Sequence, residues 1–127
     1  MCLDAVSNRK VAKTGIGYKV VGPRRFGPNV FEPLAFGSPI VLGKWMDAGK
    51  RKKMLRIGGS GSGLPIKYEC GFHIYMTRKA GLTALNVWGE SNLLKVEYTG
   101  AHTRGVQDNL PVVIARRMRA IKVIRKA

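Results

Sequence analysis

The hydrophobic period changes once along this chain, and that change limits the folds open to it. In GFHIYM (71–76), Phe72, Ile74 and Met76 fall on one face and His73 and Tyr75 on the other, the period of a strand. In TRKAGLTALNVW (77–88) the spacing turns helical, with Thr77 as N-cap and Ala80, Ala84 and Val87 or Trp88 on one side. Gly81 weakens that helix by about 1 kcal/mol relative to alanine. Period-two spacing recurs in TGIGYKVV (14–21), with Ile16, Tyr18 and Val20 together, and in LLKVEY (93–98), with Leu94, Val96 and Tyr98 together. IVLGKWM (40–46) reads as another strand, and Lys50 to Arg56 opens a further segment.

Two stretches resist a simple reading. Residues 22–39 hold Pro23, Pro28, Pro33 and Pro39. Proline has no amide to give a ladder, so a loop or irregular edge is expected there. PVVIARRMRAIKVI (111–124) fits a helix through Val113 or Ile114, Met118 and Ile121, but its β-branched content favours a strand. An unbroken strand of that length would run roughly 45 Å, so two short strands with a bend are expected. The sum is an α+β fold: a small, twisted, mostly antiparallel sheet with one principal helix at about 77–88, in a single domain over 1–127.

The composition is ordinary in hydrophobic content (45%) and unusual in charge, with 23 Lys and Arg against 7 Asp and Glu, a net +16. Such an imbalance repels itself and points to an anionic partner, nucleic acid first and an acidic protein surface second. No apolar run approaches the roughly 20 residues that span a bilayer, and no membrane partner is expected. Oligomerisation through the basic faces is disfavoured by the same repulsion, whereas pairing at a sheet edge stays open. With only Cys2 and Cys70, a disulfide framework is not expected and a reducing compartment fits best.

The cations fall into two clusters. Lys50, Arg51, Lys52, Lys53 and Arg56 form one; Arg116, Arg117, Arg119 and Lys122, followed by Arg125 and Lys126, form the other. Together they are read as an anion-binding surface, against the alternative of two solvated faces. On an unbroken strand Arg117 and Arg119 lie on one face and Arg116 and Lys122 on the other. Contacts of this kind give affinity and salt dependence rather than sequence readout. Aromatic residues are sparse beside them, Trp45 before the first cluster and Phe26 after Arg24 and Arg25, so a single-strand stacking platform stays open but without support.

The run GGSGSG (58–63) has the glycines of a phosphate loop but lacks its terminal Gly-Lys-Ser/Thr, and Leu64-Pro65-Ile66 follows in place of a helix start. It is read as a surface loop. Residues 100–109, GAHTRGVQDN, read either as a hairpin connection or as a ligand loop carrying His102, Arg104 and Gln107. Cys70 and His73 point to opposite faces of a strand and make a poor dyad. His73 beside Tyr75 is a hydrogen-bonded structural histidine before it is a general base. After removal of Met1, Cys2 would be a thiol with its own amine as base; the competing reading is a buried anchor. Cys2, Cys70, His73 and His102 lack paired ligand spacing, so no metal and no cofactor is expected.

MCLDAV (1–6), GYKVV (17–21), GKWMDA (43–48), YECGFHIYMTRKA (68–80), VEYTGAHTRGVQ (96–107) and VVIARRM (112–118) occur in an order that resembles small, largely uncharacterised proteins of tailed bacteriophages. The Tyr-x-x-Gly-Phe-His motif leading into an alanine-bearing helix is its most specific part. The basic run and the glycine run look like local additions. The resemblance implies no catalytic residues. It implies a phage accessory protein in the cytoplasm of an infected bacterium, acting on host machinery or antiviral defence. The leading expectation is a non-catalytic protein whose basic surface binds nucleic acid or a phosphorylated ligand. Two alternatives stay open: a small enzyme using Cys2 or His73 on a phosphorylated or acyl substrate, and an interaction protein docking an acidic host protein.

Overall fold

The computed structural model describes residues 5–7, 10–24, 27–33, 38–48, 54–56, 67–69, 71–87 and 91–125. Cys2, Cys70, Lys50, Arg51, Lys52, Lys53, Trp88 and the 58–63 glycine run lie outside these residues. Among the described residues, ten strands and one helix follow in the order β1 (Ala5–Ser7), β2 (Gly15–Val21), β3 (Val30–Phe31), β4 (Ile40–Val41), β5 (Trp45–Asp47), β6 (Met54–Arg56), β7 (Lys67–Glu69), β8 (Phe72–Tyr75), α1 (Arg78–Val87), β9 (Asn92–Gln107) and β10 (Leu110–Arg125). The fold is α+β, with all pairings antiparallel.

The main sheet closes on itself. β2 pairs with β9, β9 with β10, β10 with β8, and β8 returns to β2 through Tyr18 and Tyr75. β1 extends the ring beside β9, and β5 extends it beside β10. Inside lies an apolar cluster of Val21, Ile74, Leu94, Val96, Tyr98, Val113, Met118 and Ala120, joined by Phe31 and Ile40 from the β3–β4 pair. The alternation of residues 93–98 is therefore as expected: Leu94, Val96 and Tyr98 share this interior.

The helix covers the opposite face. Thr77 caps it, its Oγ1 accepting the Ala80 amide at 3.1 Å. Ala80, Ala84 and Leu85 pack on Val20, Tyr75, Leu93, Val112 and Ile114. Val87, expected on the buried side, is 77% exposed; Gly81 and Leu85 occupy that side instead. The face of β8 bearing His73 and Tyr75 is thus a second core surface under α1. A strand covered on both sides hides its second face from a simple alternation rule.

Three other expectations change. Residues 40–46 are two strands, because the chain turns at Leu42–Gly43 before Trp45. Residues 100–109 are not a loop: β9 runs through Gln107, and only Asp108 and Asn109 turn, with φ of 51° and 64°. Positive φ at both central residues is the two-residue hairpin that matches strand twist. Residues 111–124 are one strand, not two. β10 absorbs its curvature in register shifts at Ile114/Ala115, Ala120/Lys122 and Val123/Arg125, so it bends without losing its partner β9.

Candidate nucleic-acid interface

The register shifts decide which cations meet. Opposite residues of an antiparallel pair share a face. Arg119 lies opposite Glu97 on β9 and Trp45 on β5, and Glu97 lies opposite Ile16 on β2. Arg117 lies opposite Thr99 and Asp47. The extra residue Ile121 then places Lys122 opposite Lys95, itself opposite Tyr18. Lys95, Glu97 and Thr99 alternate on one face of β9, so Arg117, Arg119 and Lys122 stand on one outer surface. The expected separation of Lys122 from Arg117 and Arg119 is overturned, since alternation counting fails across a bulge.

Arg116 is exposed for a related reason. Tyr98 and Ala101 on β9, and Ala115 and Met118 on β10, all enter the interior although each pair is three residues apart. Both strands turn over at the same level, with Gly100 at φ 70° and Arg116 packed over it. Arg116 and Arg117 are consequently both outside. The amide of Ala48 bonds the Arg116 carbonyl at 2.8 Å, so β5 leaves the sheet beside this arginine, shortly before the Lys50–Lys53 run.

At the β5 edge of the face an indole is braced by guanidinium groups. Arg119 lies 5.0 Å and Arg117 5.4 Å from the Trp45 ring centroid, within cation–π range. Arg119 also donates to Glu97 Oε1 at 2.6 Å. The cations Lys95, Arg117, Arg119 and Lys122 outweigh the carboxylates Glu97 and Asp47. Lys95 and Lys122 face each other directly, an arrangement that opposes folding by repulsion. Lys95 and the Trp45 pairing escaped the sequence reading; alternation in LLKVEY signals the first, but nothing local signals the second.

The other sequence candidates do not converge. Arg104 and Gln107 lie on opposite faces of β9, and His102 sits at the β9 bulge with Nδ1 2.7 Å from Thr103 Oγ1. Together they form no ligand loop. His73 faces α1; burial, then the nearby Lys19 ammonium, lower its pKa to about 4, so it is neutral near pH 7. Among the described residues no group of three His, Cys, Asp or Glu side chains could hold a metal ion, and no helix is long and apolar enough to cross a membrane.

Lys19 is a titratable group that the sequence reading passed over. It shares the interior face with Leu94, and its Nζ donates to the His73 carbonyl at 3.0 Å, where β2 and β8 part beyond Tyr18. Burial lowers its pKa from 10.5 to about 8. Between those values the unfolded chain binds a proton that the folded chain has released, so stability rises with pH across that window. The full penalty, about 3 kcal/mol, is present below pH 8. Replacing the amine with an apolar chain removes the penalty and forfeits about 1 kcal/mol of hydrogen bonding. Lys19→Met is expected to be about 2 kcal/mol more stable than the parent at pH 7, a gap that closes toward pH 10.5. Urea denaturation at both pH values measures it; a gap unchanged with pH would contradict the burial of the ammonium.

Comparison with known protein families, curated proteins and solved structures finds no match.

Proposed function

We propose that this chain is a non-catalytic binding protein whose outer basic face holds nucleic acid. The observation that carries the reading is the convergence of Lys95, Arg117, Arg119 and Lys122 on one exposed sheet surface, with two lysines directly opposed. A like-charge pair costs stability in the free protein, and a phosphate placed between the lysines relieves it. An outward-facing sheet surface with one excess sign of charge suits a polyanion better than a small phosphorylated molecule, which calls for a concave site. The neutral, half-buried His73 does not favour the enzyme reading. In the setting implied by the phage resemblance, such binding serves interference with a bacterial process, host defence among them.

Affinity for short RNA and DNA across a salt series tests the reading. The logarithm of the binding constant is expected to fall linearly with the logarithm of salt, with a slope of about −3 for four cations on a single strand. Negligible binding at low salt rejects it. Capture of an acidic protein from nuclease-treated bacterial lysate, with no affinity for oligonucleotides, would move the assignment to protein docking.

A further inference from the structure

The basic face does more than present charge, because a large aromatic ring stands among its cations. Trp45 is only half-buried, on the short strand β5 at the edge of the sheet. Its indole does not enter the interior cluster, whereas the next residue, Met46, packs against that cluster. Arg119 and Arg117 lie over the ring, and Lys95 and Lys122 form the adjoining row on the same surface. An indole held by two guanidinium groups is fixed in orientation, and one whose neighbouring strand is cationic has anion-binding groups beside it. These are the two components of single-strand recognition: a π-surface for a base and cations that follow the phosphates. A duplex satisfies only the second, because its bases are stacked on each other and paired.

Resting on the nucleic-acid reading above, we infer that the occupant of this face is single-stranded nucleic acid, with one unpaired base stacked against Trp45 and the flanking phosphates on Arg117, Lys122 and Lys95. Arg119, already tied to Glu97, acts as a positioning residue for the indole. The stack is indifferent to base identity, since every base has a π-face, so the preference is for strandedness rather than sequence.

The test uses labelled oligothymidylate, which forms no competing secondary structure, and a duplex of equal length, each titrated by fluorescence anisotropy. The parent protein is expected to bind the single strand about tenfold or more tightly than the duplex. Trp45→Ala should weaken single-strand binding by about ten- to thirty-fold and duplex binding by less than about threefold. Trp45→Phe, which keeps a ring, should retain most of the affinity and controls for folding of the β5 edge, checked by its unfolding midpoint. In a Trp88→Phe background, oligothymidylate should quench the remaining indole fluorescence. Equal binding of both forms, with Trp45→Ala neutral or equally harmful to each, overturns the stacking inference and leaves the basic-face reading standing. Absence of salt-dependent binding to either probe overturns both.

Discussion

Gly17→Ala is expected to lower folding stability by about 3 kcal/mol, the largest loss from any single added methyl group on β2. A Cβ at residue 17 would come within 2.8 Å of the Tyr75 carbonyl oxygen and would also collide with the Ile74 Cγ2 methyl. The methyl can rotate, but the carbonyl belongs to the backbone of β8. Relief therefore requires β2 and β8 to separate at the place where Tyr18 pairs with Tyr75 and the ring closes. Opening that seam exposes Ile74 and Val96, both fully buried, and loosens the β2 edge on which α1 packs. Overpacking alone costs about 1–3 kcal/mol, and loss of the closure takes the expected effect to the top of that range. Chemical denaturation measures it directly. A variant within about 0.5 kcal/mol of the parent would mean that β2 and β8 are not held in contact, and the closed sheet would have to be redrawn.

What could be read from residues alone follows from the range over which each signal acts. The helix and its Thr77 cap rest on contacts between near neighbours, and they emerge where the spacing places them. The alternation of Leu94, Val96 and Tyr98 is equally local. The two faces of β8 are not, because covering His73 and Tyr75 depends on where α1 docks. The placement of Lys122 fails for a different reason: a single extra residue, Ile121, reverses alternation for everything after it, and β-branched side chains carry no mark of a bulge. Trp45 meets Arg117 and Arg119 only through the β5–β10 register, set by strands far apart in sequence. The charge excess is legible from composition; the meeting of Lys95, Arg117, Arg119 and Lys122 on one face needs the sheet. The first basic cluster is described only at Arg56, in β6, so the face rests on the second cluster and on Lys95.

Charge in the right place should matter more than charge in total, and two matched double variants separate these. Arg117→Gln with Lys122→Glu alters three unit charges on the β9–β10 face. Arg78→Gln with Lys79→Glu makes the same change at the exposed start of α1. The face variant is expected to lose about 100-fold in single-strand affinity at 0.1 M salt, with its salt slope shallower by about 2. The helix variant should lose less than about threefold, since charges outside the Lys95–Trp45 cluster act only through a field screened over about 10 Å at 0.1 M salt. Stability distinguishes loss of binding from loss of fold. Lys122→Glu turns a repulsive pair with Lys95 into an attractive one, so the face variant should unfold no more easily than the parent. An acidic residue in the first turn of α1 likewise complements the helix dipole, and the control should fold as well. Equal losses of affinity in the two variants would show that the polyanion responds to net charge alone. The convergence of Lys95, Arg117, Arg119 and Lys122 would then be incidental, because a real interface must distinguish its own cations from those elsewhere on the molecule.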